Sequence, residues 1–375
     1  MTKKQVNNME VKKNNRNRIF RYICKCDKTS NPEISYELKM SLPTVTQNTK
    51  ELMERGLIAE VGEFQSTGGR RAKAFSVVAD SKLAVGLDIT KNHVGLLLTN
   101  LTGKILKHDI FHYPYSAEDD YYREINKRLE SFLYESVKER EKILGIGISF
   151  PGIVNLEKEV VSYSHMLGLK ALPLATVSPF FSYDCYFLND ANAGAYAEGI
   201  NMEKKERLFY LSLSNTVGGA IFNCNELIQG KNFRCGEVGH MTIVPDGVSC
   251  YCGKSGCLDV YCSAKCLSDA TGGKLDLFFE ALERGEKEIT DIWDRYTTYL
   301  SVAINNIHMI LDCDIIIGGY VGSFIESHIQ DIREKVSKRN TFAEDGMFVR
   351  TCNYKIGAAA LGAALKVIET FIEQV

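Results

Sequence analysis

The chain has no apolar run approaching the ~18 residues that a membrane-spanning helix needs. Its opening stretch, MTKKQVNNMEVKKNNRNR, contains no apolar segment of the kind that marks a secretory leader. It has no internal repeat, no low-complexity tract and no coiled-coil heptad run. These absences exclude a helical membrane protein, a repeat array and a fibre, and the expected location is the cytoplasm. Twelve cysteines in 375 residues do not make a disulfide scaffold, which belongs to much shorter secreted chains. Most are expected to be small buried thiols in a reducing compartment. Net charge is also small, −2, but it is unevenly placed. Residues 1–80 hold 15 Lys/Arg against 9 Asp/Glu, a net of +6, which leaves −8 on the remainder. A basic head on an acidic body implies that only the head meets a polyanion.

What is present is ordinary globular material, 45% hydrophobic and 25% charged. The length allows two or three domains. One stretch stands out, Gly236 to Cys257, reading GEVGHMTIVPDGVSCYCGKSGC. His240, Cys250, Cys252 and Cys257 offer one imidazole and three thiols within 18 positions. Thiolates and a neutral imidazole suit a borderline-soft divalent ion, and four protein ligands leave no open position. The expectation is a structural zinc that folds a loop. Glu237 precedes His240 in an E-x-G-H turn, so a metal-fixed His next to a carboxylate can hold polar groups rigid at a ligand's edge.

The first dozen or so residues are polar and expected to be disordered. Ile19, Phe20, Ile23 and Cys24 then recur at helical spacing. Asn31 is placed to cap a second helix, with Pro32 and Glu33 in its first turn. Ser41 reads as the cap of a third, TVTQNTKELMERG, with Val45, Thr49, Leu52 and Met53 on one face. Three helices with a tight link before the third make a helix-turn-helix, whose third helix lies in the major groove. Ser41, Thr44, Thr46, Gln47 and Lys50 are then the residues nearest DNA; Gln can pair with adenine, Thr with the thymine methyl, Lys with guanine or phosphate. Two apolar runs around QSTGGRRAKA read as a β-hairpin wing, with Arg70 and Arg71 placed for phosphates or the minor groove.

The body, residues 81–375, opens with strands over 83–89, 93–101 and 104–111, a helix over about 117–139 and a strand over 143–148. That order predicts a mixed sheet in an α/β lobe. Helices are expected over 263–270, 275–284 and 288–311, and a small-residue helix starts at Gly357. Tyr251, Tyr261 and Tyr320 read as buried aromatics or as part of an oligomer interface.

Several motifs resemble those of the ROK family, which contains repressors and sugar kinases. The zinc stretch is similar to its E-x-G-H and C-x-C-G-x-x-G-C-x-E signature, with Asp259 in place of the final Glu. Leu188-Asn189-Asp190-Ala191-Asn192-Ala193 matches its N-D-A-N-A, and Gly147-Ile148-Ser149-Phe150-Pro151-Gly152 its G-I-x-x-P-G turn. The winged head resembles that of the family's repressors, and its kinases generally lack one. The resemblance implies an α/β fold of the ribonuclease-H-like, actin and hexokinase kind. It divides the body into a first lobe of about 81–190 plus 357–375 and a second of about 191–356. It implies a sugar held by Asn189, Asp190, Glu237, His240 and Asp259, with His165 standing where the family often has Asn. In the family's kinases the motif Asp is the general base, a role that would fall to Asp190, with Asp88 helping to position Mg-ATP.

Those kinases carry D-x-G-G-T after the first strand, where glycines let backbone amides approach phosphates. This chain has Asp88-Ile89-Thr90-Lys91-Asn92, and its second phosphate turn, Ser214-Asn215-Thr216-Val217-Gly218-Gly219, has lost its leading glycines. ATP is therefore not expected to bind. The expected function is a sugar-responsive transcriptional repressor that binds operator DNA as a homodimer or homotetramer. An active sugar kinase with an added head is the first alternative. A regulator governed by a protein partner, with a vestigial sugar pocket, is the second.

Overall fold

The structure, a computed structural model, describes residues 8–65, 71–200, 202 and 206–375. The chain opens with α1 (Asn8–Lys25), α2 (Asn31–Leu38) and α3 (Leu42–Glu54), then antiparallel β1 (Ile58–Glu63) and β2 (Lys73–Val77). Helix α1 begins well before the expected end of disorder, because its polar residues have partners. Lys12 and Arg16 reach Glu51 on α3 at 2.5 and 2.8 Å. Helix α2 is capped by Ser30, one residue earlier than Asn31: the Ser30 hydroxyl accepts from the Glu33 N–H at 3.4 Å. Ser41 caps α3 as expected, accepting from the Thr44 N–H at 3.3 Å. Ile19, Phe20, Ile23, Ile34, Val45 and Leu52 are fully buried and form the head's core.

The body's first sheet gathers β3 (Leu83–Ile89), β4 (His93–Asn100) and β5 (Ile105–His112) as an antiparallel meander. After α4 (Asp119–Ser136), β6 (Ile143–Phe150) lies parallel to β3. A small sheet of β7 (Ile153–Asn155), β8 (Val160–Ser164) and β9 (Leu169–Pro173) intervenes before β10 (Cys185–Asn189) closes the order β10-β6-β3-β4-β5. This is the mixed sheet predicted from the strand order. Helix α5 (Asp190–Gly199) then leads to β11 (Arg207–Leu213), β12 (Val217–Asn223) and β13 (Glu226–Ile228). The expected 263–270 helix is reduced to α7 (Lys265–Ser268), and the extended Ser263 separates it from a preceding short helix, α6 (Asp259–Cys262). Helices α8 (Leu275–Glu283) and α9 (Lys287–Leu311) precede β14 (Asp314–Gly318), α10 (Gly319–Gly322), α11 (Ile329–Ser337) and β15 (Val349–Thr351). The second sheet runs β13-β12-β11-β14-β15. Among the described residues no helix is long and apolar enough to cross a membrane.

The last helix, α12 (Ala358–Gln374), lies against β3, β6 and α5, and α5 in turn lies against β11 and β12. Small residues make this possible. A Cβ on Gly86 would stand 1.9 Å from the Ala360 carbonyl oxygen, one on Gly147 2.0 Å from that of Ala363, and one on Gly362 1.7 Å from that of Ala193. Backbone therefore meets backbone on both sides of α12. The head docks on the far end of the same helix: Arg21 pairs with Glu369, the Asn17 amide donates to the Glu373 carbonyl at 2.9 Å, and the Arg55 guanidinium donates to the Val375 oxygen at 2.9 Å.

Gly147→Val is expected to lower the urea midpoint sharply or abolish soluble protein, because the obstructing atoms are backbone and cannot rotate away. Overpacking of a tight core usually costs about 1–3 kcal/mol, and here the cost should reach or exceed the top of that range. An unchanged midpoint would show that α12 is not seated as described.

Candidate functional site

Two carboxylates face each other where the first sheet ends. Asp88 closes β3 in register with Ser149 on β6, and the Ser149 hydroxyl donates to Asp88 Oδ1. Asn189 closes β10 and caps α5: its Oδ1 accepts from the Asn192 N–H at 2.9 Å. The Asn189 amide nitrogen donates to the Gly152 carbonyl at 2.9 Å and to Asp190 Oδ1 at 2.8 Å. Asn189, not Asp190, is thus the helix cap. Asp190 sits inside the first turn, where its Oδ1 also accepts from the Ala191 N–H at 3.0 Å. Burial pushes the Asp88 carboxyl up to about 6, against the Ser149 hydrogen bond. Burial, followed by the charge of Asp88, pushes Asp190 up to about 7; the Ala191 amide opposes this and Glu237 adds to it.

The cysteine-rich loop stands across the cleft. The ligand atoms of His240, Cys250, Cys252 and Cys257 all lie within 4.8 Å of one another. Cys252 and Cys257 sulfurs are 3.6 Å apart, and Cys250 Sγ is 3.9 Å from His240 Nδ1. A tetrahedral ion with bonds of about 2.0–2.3 Å separates its ligands by about 3.3–3.8 Å, so this donor set fits a metal ion in size as well as chemistry. The loop is held tight by backbone: the Cys250 N–H donates to the Lys254 carbonyl at 2.7 Å. Gly256 has φ +78°, and a Cβ there would stand 1.7 Å from the Val244 oxygen.

The expected sugar residues converge on this cleft. Burial raises the Glu237 carboxyl, with His240 and Arg234 opposing. Burial also raises Asp259, against the Val217 amide and the His240 and His165 rings. Asp259 is 5% exposed, and its Oδ1 accepts from the Val217 N–H at 2.6 Å. The acid at this position is therefore drawn partly into the turn between β11 and β12. His165, in the turn between β8 and β9, stacks on Tyr251 with ring centroids 3.8 Å apart and planes 8° apart. Tyr251 also meets His240 edge-on at 5.3 Å. Sequence reasoning set Tyr251 aside as a core or interface aromatic. The signal that it belongs to the cleft was its place between two metal-ligand cysteines. Tyr320 is also a cleft residue: its hydroxyl lies near the Thr90 side chain and feels the charges of Asp88 and Asp190. Only Tyr261 supports the loop itself, accepting from the Val248 N–H at 2.8 Å. A separate cavity of about 1140 Å³ lies away from these residues, where Arg18 and Arg21 of the head meet Lys366 and residues 224–227.

The two turns compared with phosphate-binding loops have engaged amides. The Thr90 N–H donates to the His93 carbonyl at 3.0 Å, and the His93 N–H donates to the Thr90 hydroxyl at 3.0 Å. In the second turn the Ser214 N–H donates to the Thr216 carbonyl at 3.2 Å, and the Val217 N–H is held by Asp259.

On α3, Ser41, Thr46, Gln47 and Lys50 are exposed, and Thr44 is half-buried. The Ser41 and Thr44 hydroxyls bond each other at 2.8 Å within the cap, which leaves Thr46, Gln47 and Lys50 as the outward surface. Asn48 faces inward, 2% exposed, its amide donating to the Thr44 carbonyl at 2.7 Å. Arg71 is exposed at the foot of β2, and Arg70 lies outside the described residues.

Comparison with known proteins follows this geometry. The ROK family profile matches residues 84–370, and a profile for a winged helix-turn-helix DNA-binding domain matches residues 13–59. The chain is 28% identical to the xylose repressor of Bacillus spizizenii over 391 residues, covering 97% of each chain. It is 26% identical to the Escherichia coli DNA-binding transcriptional dual regulator NagC over 262 residues, covering 68% of this chain and 64% of the other. Among solved structures, a ROK family transcriptional regulator described as a homologue of E. coli MLC superposes with TM-score 0.78 at 21% identity, over 97% of both chains. A ROK hexokinase from Thermus thermophilus superposes with TM-score 0.59 at 20% identity, covering 76% of this chain but 97% of its own. The family match spans well over half of the sequence, and the chain belongs to the ROK family.

Proposed function

We propose that this chain is a sugar-responsive transcriptional regulator, a repressor of carbohydrate-utilisation genes, whose head binds operator DNA and whose body binds the sugar. The observation that carries the reading is the full-length likeness to a xylose repressor, head included, together with an outward polar face on α3. The proposed division is a head of residues 1–80 and a body of 81–375. Zinc is the proposed ion of the His240, Cys250, Cys252 and Cys257 set, where it folds the loop that carries the ligand face. With Nδ1 turned toward the thiols, His240 keeps Nε2–H to donate to a sugar hydroxyl. Glu237 and Asp190 accept from hydroxyls, and a carboxyl that gains its proton near neutrality can also donate.

The proposed reading leaves nucleotide chemistry out, and the two altered turns support that. Three backbone amides of these turns are already engaged: Thr90 N–H with the His93 carbonyl, His93 N–H with the Thr90 hydroxyl and Val217 N–H with Asp259. Asp190 alone speaks for the kinase reading, since a carboxyl held at about 7 suits a general base. In the regulator it is a hydroxyl partner. Sugar binding alters closure of the cleft, and it does so only through unequal affinity for the open and closed states. Helices α12 and α5 lie between the sheets and the head rests on α12, so a change in closure reaches the head through packed backbone. A dimer is the smallest assembly that reads paired half-sites.

Three measurements test this reading. In a thermal-shift panel of mono- and disaccharides, one sugar at 100 times its Kd should stabilise the fold by about 2.7 kcal/mol, and Mg-ATP should add nothing. Stabilisation that requires Mg-ATP, with sugar-dependent ADP release lost in Asp190→Asn, would replace the regulator with a kinase. On duplexes selected from a random pool, Gln47→Ala should cost about 1–3 kcal/mol and relax the preference at one base position. Arg71→Ala should weaken all duplexes alike and flatten the salt dependence; if both variants bind like the parent, α3 and the wing are not the DNA surface.

The third measurement concerns pH. Asp88 and Asp190 hold their protons to about 6 and about 7 in the folded chain, above the ordinary 3.8. Between roughly pH 4 and 7 the folded state binds more protons than the unfolded one, so stability falls as pH rises through that window. Asp190→Asn should flatten this fall in urea midpoints measured across pH. Parallel curves for parent and variant would place the titration elsewhere.

A further inference from the structure

The metal loop carries one side chain that its own folding does not need. Tyr251 lies between ligands Cys250 and Cys252, yet its ring leaves the loop and stacks face to face on His165, at 3.8 Å and 8°. His165 belongs to the β8–β9 turn beside the first sheet, and Tyr251 to the loop that follows the second sheet's β13. Tyr251 is 39% exposed and His165 is exposed as well, so the pair sits at the mouth of the cleft and not in a core. Each ring is backed by the groups that line the cleft. Behind Tyr251, its ring edge meets His240 at 5.3 Å. Behind His165, Ser164 accepts from the Leu167 N–H at 3.2 Å and closes the turn. Gly152 packs so tightly on that strand end that a Cβ would stand 2.3 Å from the Tyr163 oxygen and 2.8 Å from Ser164 Cβ. The Gly152 carbonyl in turn holds the Asn189 amide. A continuous path therefore runs from Asp190 and Asn189, through the Gly152 contact and the His165 turn, across the ring pair, to the metal loop.

We propose that His165 and Tyr251 form an aromatic clasp that joins the two sides of the cleft in its closed state. They are positioning residues, acting on the ligand by favouring closure. An aldose bound beside Asp190, Glu237 and His240 is then retained in proportion to how far the ring pair shifts the chain toward closure. The affinity half of the proposal rests on the sugar-binding reading above; the closure half does not.

The experiment combines two readouts on the full chain. Calorimetric titration with D-xylose, D-glucose and N-acetyl-D-glucosamine is run on the parent, Tyr251→Ala, His165→Ala, the double variant and Tyr251→Phe. Hydrogen–deuterium exchange over residues 163–168 is followed on the same proteins without sugar, and bound zinc is counted in each. Aromatic pairs contribute enough that each Ala variant should lose about 3- to 10-fold in affinity. The double variant should lose no more than either single one, the signature of one shared contact. Tyr251→Phe should keep most of the affinity, and zinc content should be unchanged throughout. Exchange should rise alike in both Ala variants. If the parent binds none of the sugars, the sugar reading fails and the exchange decides the clasp alone. Unchanged exchange in both Ala variants, additive losses in the double variant, or loss of zinc on removing the Tyr251 ring would each overturn the proposal.

Discussion

Backbone contact along α12 is the constraint on which the rest of the molecule depends. Gly86 and Gly147 on the first sheet and Gly362 on the helix remove the side chains that would hold these elements apart. The helix can then lie directly on β3 and β6 while its other face meets α5, which covers the second sheet. Interiors packed at this density transmit displacement instead of absorbing it. The head adds its own attachment to the same helix, through Arg21, Asn17 and Arg55. One element therefore touches both the sheet that carries Asp88 and the DNA-binding head. That arrangement gives a cleft motion a physical route to the head without any contact between ligand and DNA.

The electrostatics of the cleft follow from the same compactness. Asp88 and Asp190 end adjacent elements, and burial is the first cause of both raised values. The charge of Asp88 then adds to the cost of ionising Asp190, and Glu237 adds to it further. A set of this kind is unfavourable in an empty cleft and is relieved by groups that donate hydrogen bonds. In the proposed site, sugar hydroxyls would do so at several points at once, as would an Nε2–H on His240. Where the two aspartates interact, the protons leave in steps that belong to the pair and not to either residue alone.

Much of this was legible in the sequence because it is carried by local chemistry. The Ser41 cap, the strand over 83–89 and the clustering of His240 with Cys250, Cys252 and Cys257 each depend on residues close together in the chain, and each lies where the pattern put it. What was not legible depended on partners far away. The helical start of α1 is polar and looks disordered until Glu51 and the end of α12 are brought beside it. Asn31 and Ser30 are both good caps, and only the hydrogen bond to Glu33 distinguishes them. Asn48 looks like surface on a helical wheel, yet its amide turns back to the Thr44 carbonyl. Tyr251 could be told from a core aromatic only once His165 stood opposite it.

The replacement of Glu by Asp at position 259 links two departures that looked independent in the sequence. One is the shorter acid at the end of the metal signature, and the other is the altered turn at 214–219. The shorter side chain is buried and directs Oδ1 to the Val217 N–H. That amide lies in the turn where a nucleotide-binding relative would need free donors. Donating to Asp259, it is a poorer partner for phosphate, and a carboxylate held this close repels an anion. Asp259 remains close enough to His240 and His165 for its charge to be felt by both. A single residue thus lies between His240 and His165 on one side of the cleft and the 214–219 turn on the other. In the proposed regulator that placement would be an advantage: the ligand is to be held and released unchanged, and a turn whose amide is already engaged is a poorer seat for a phosphoryl donor.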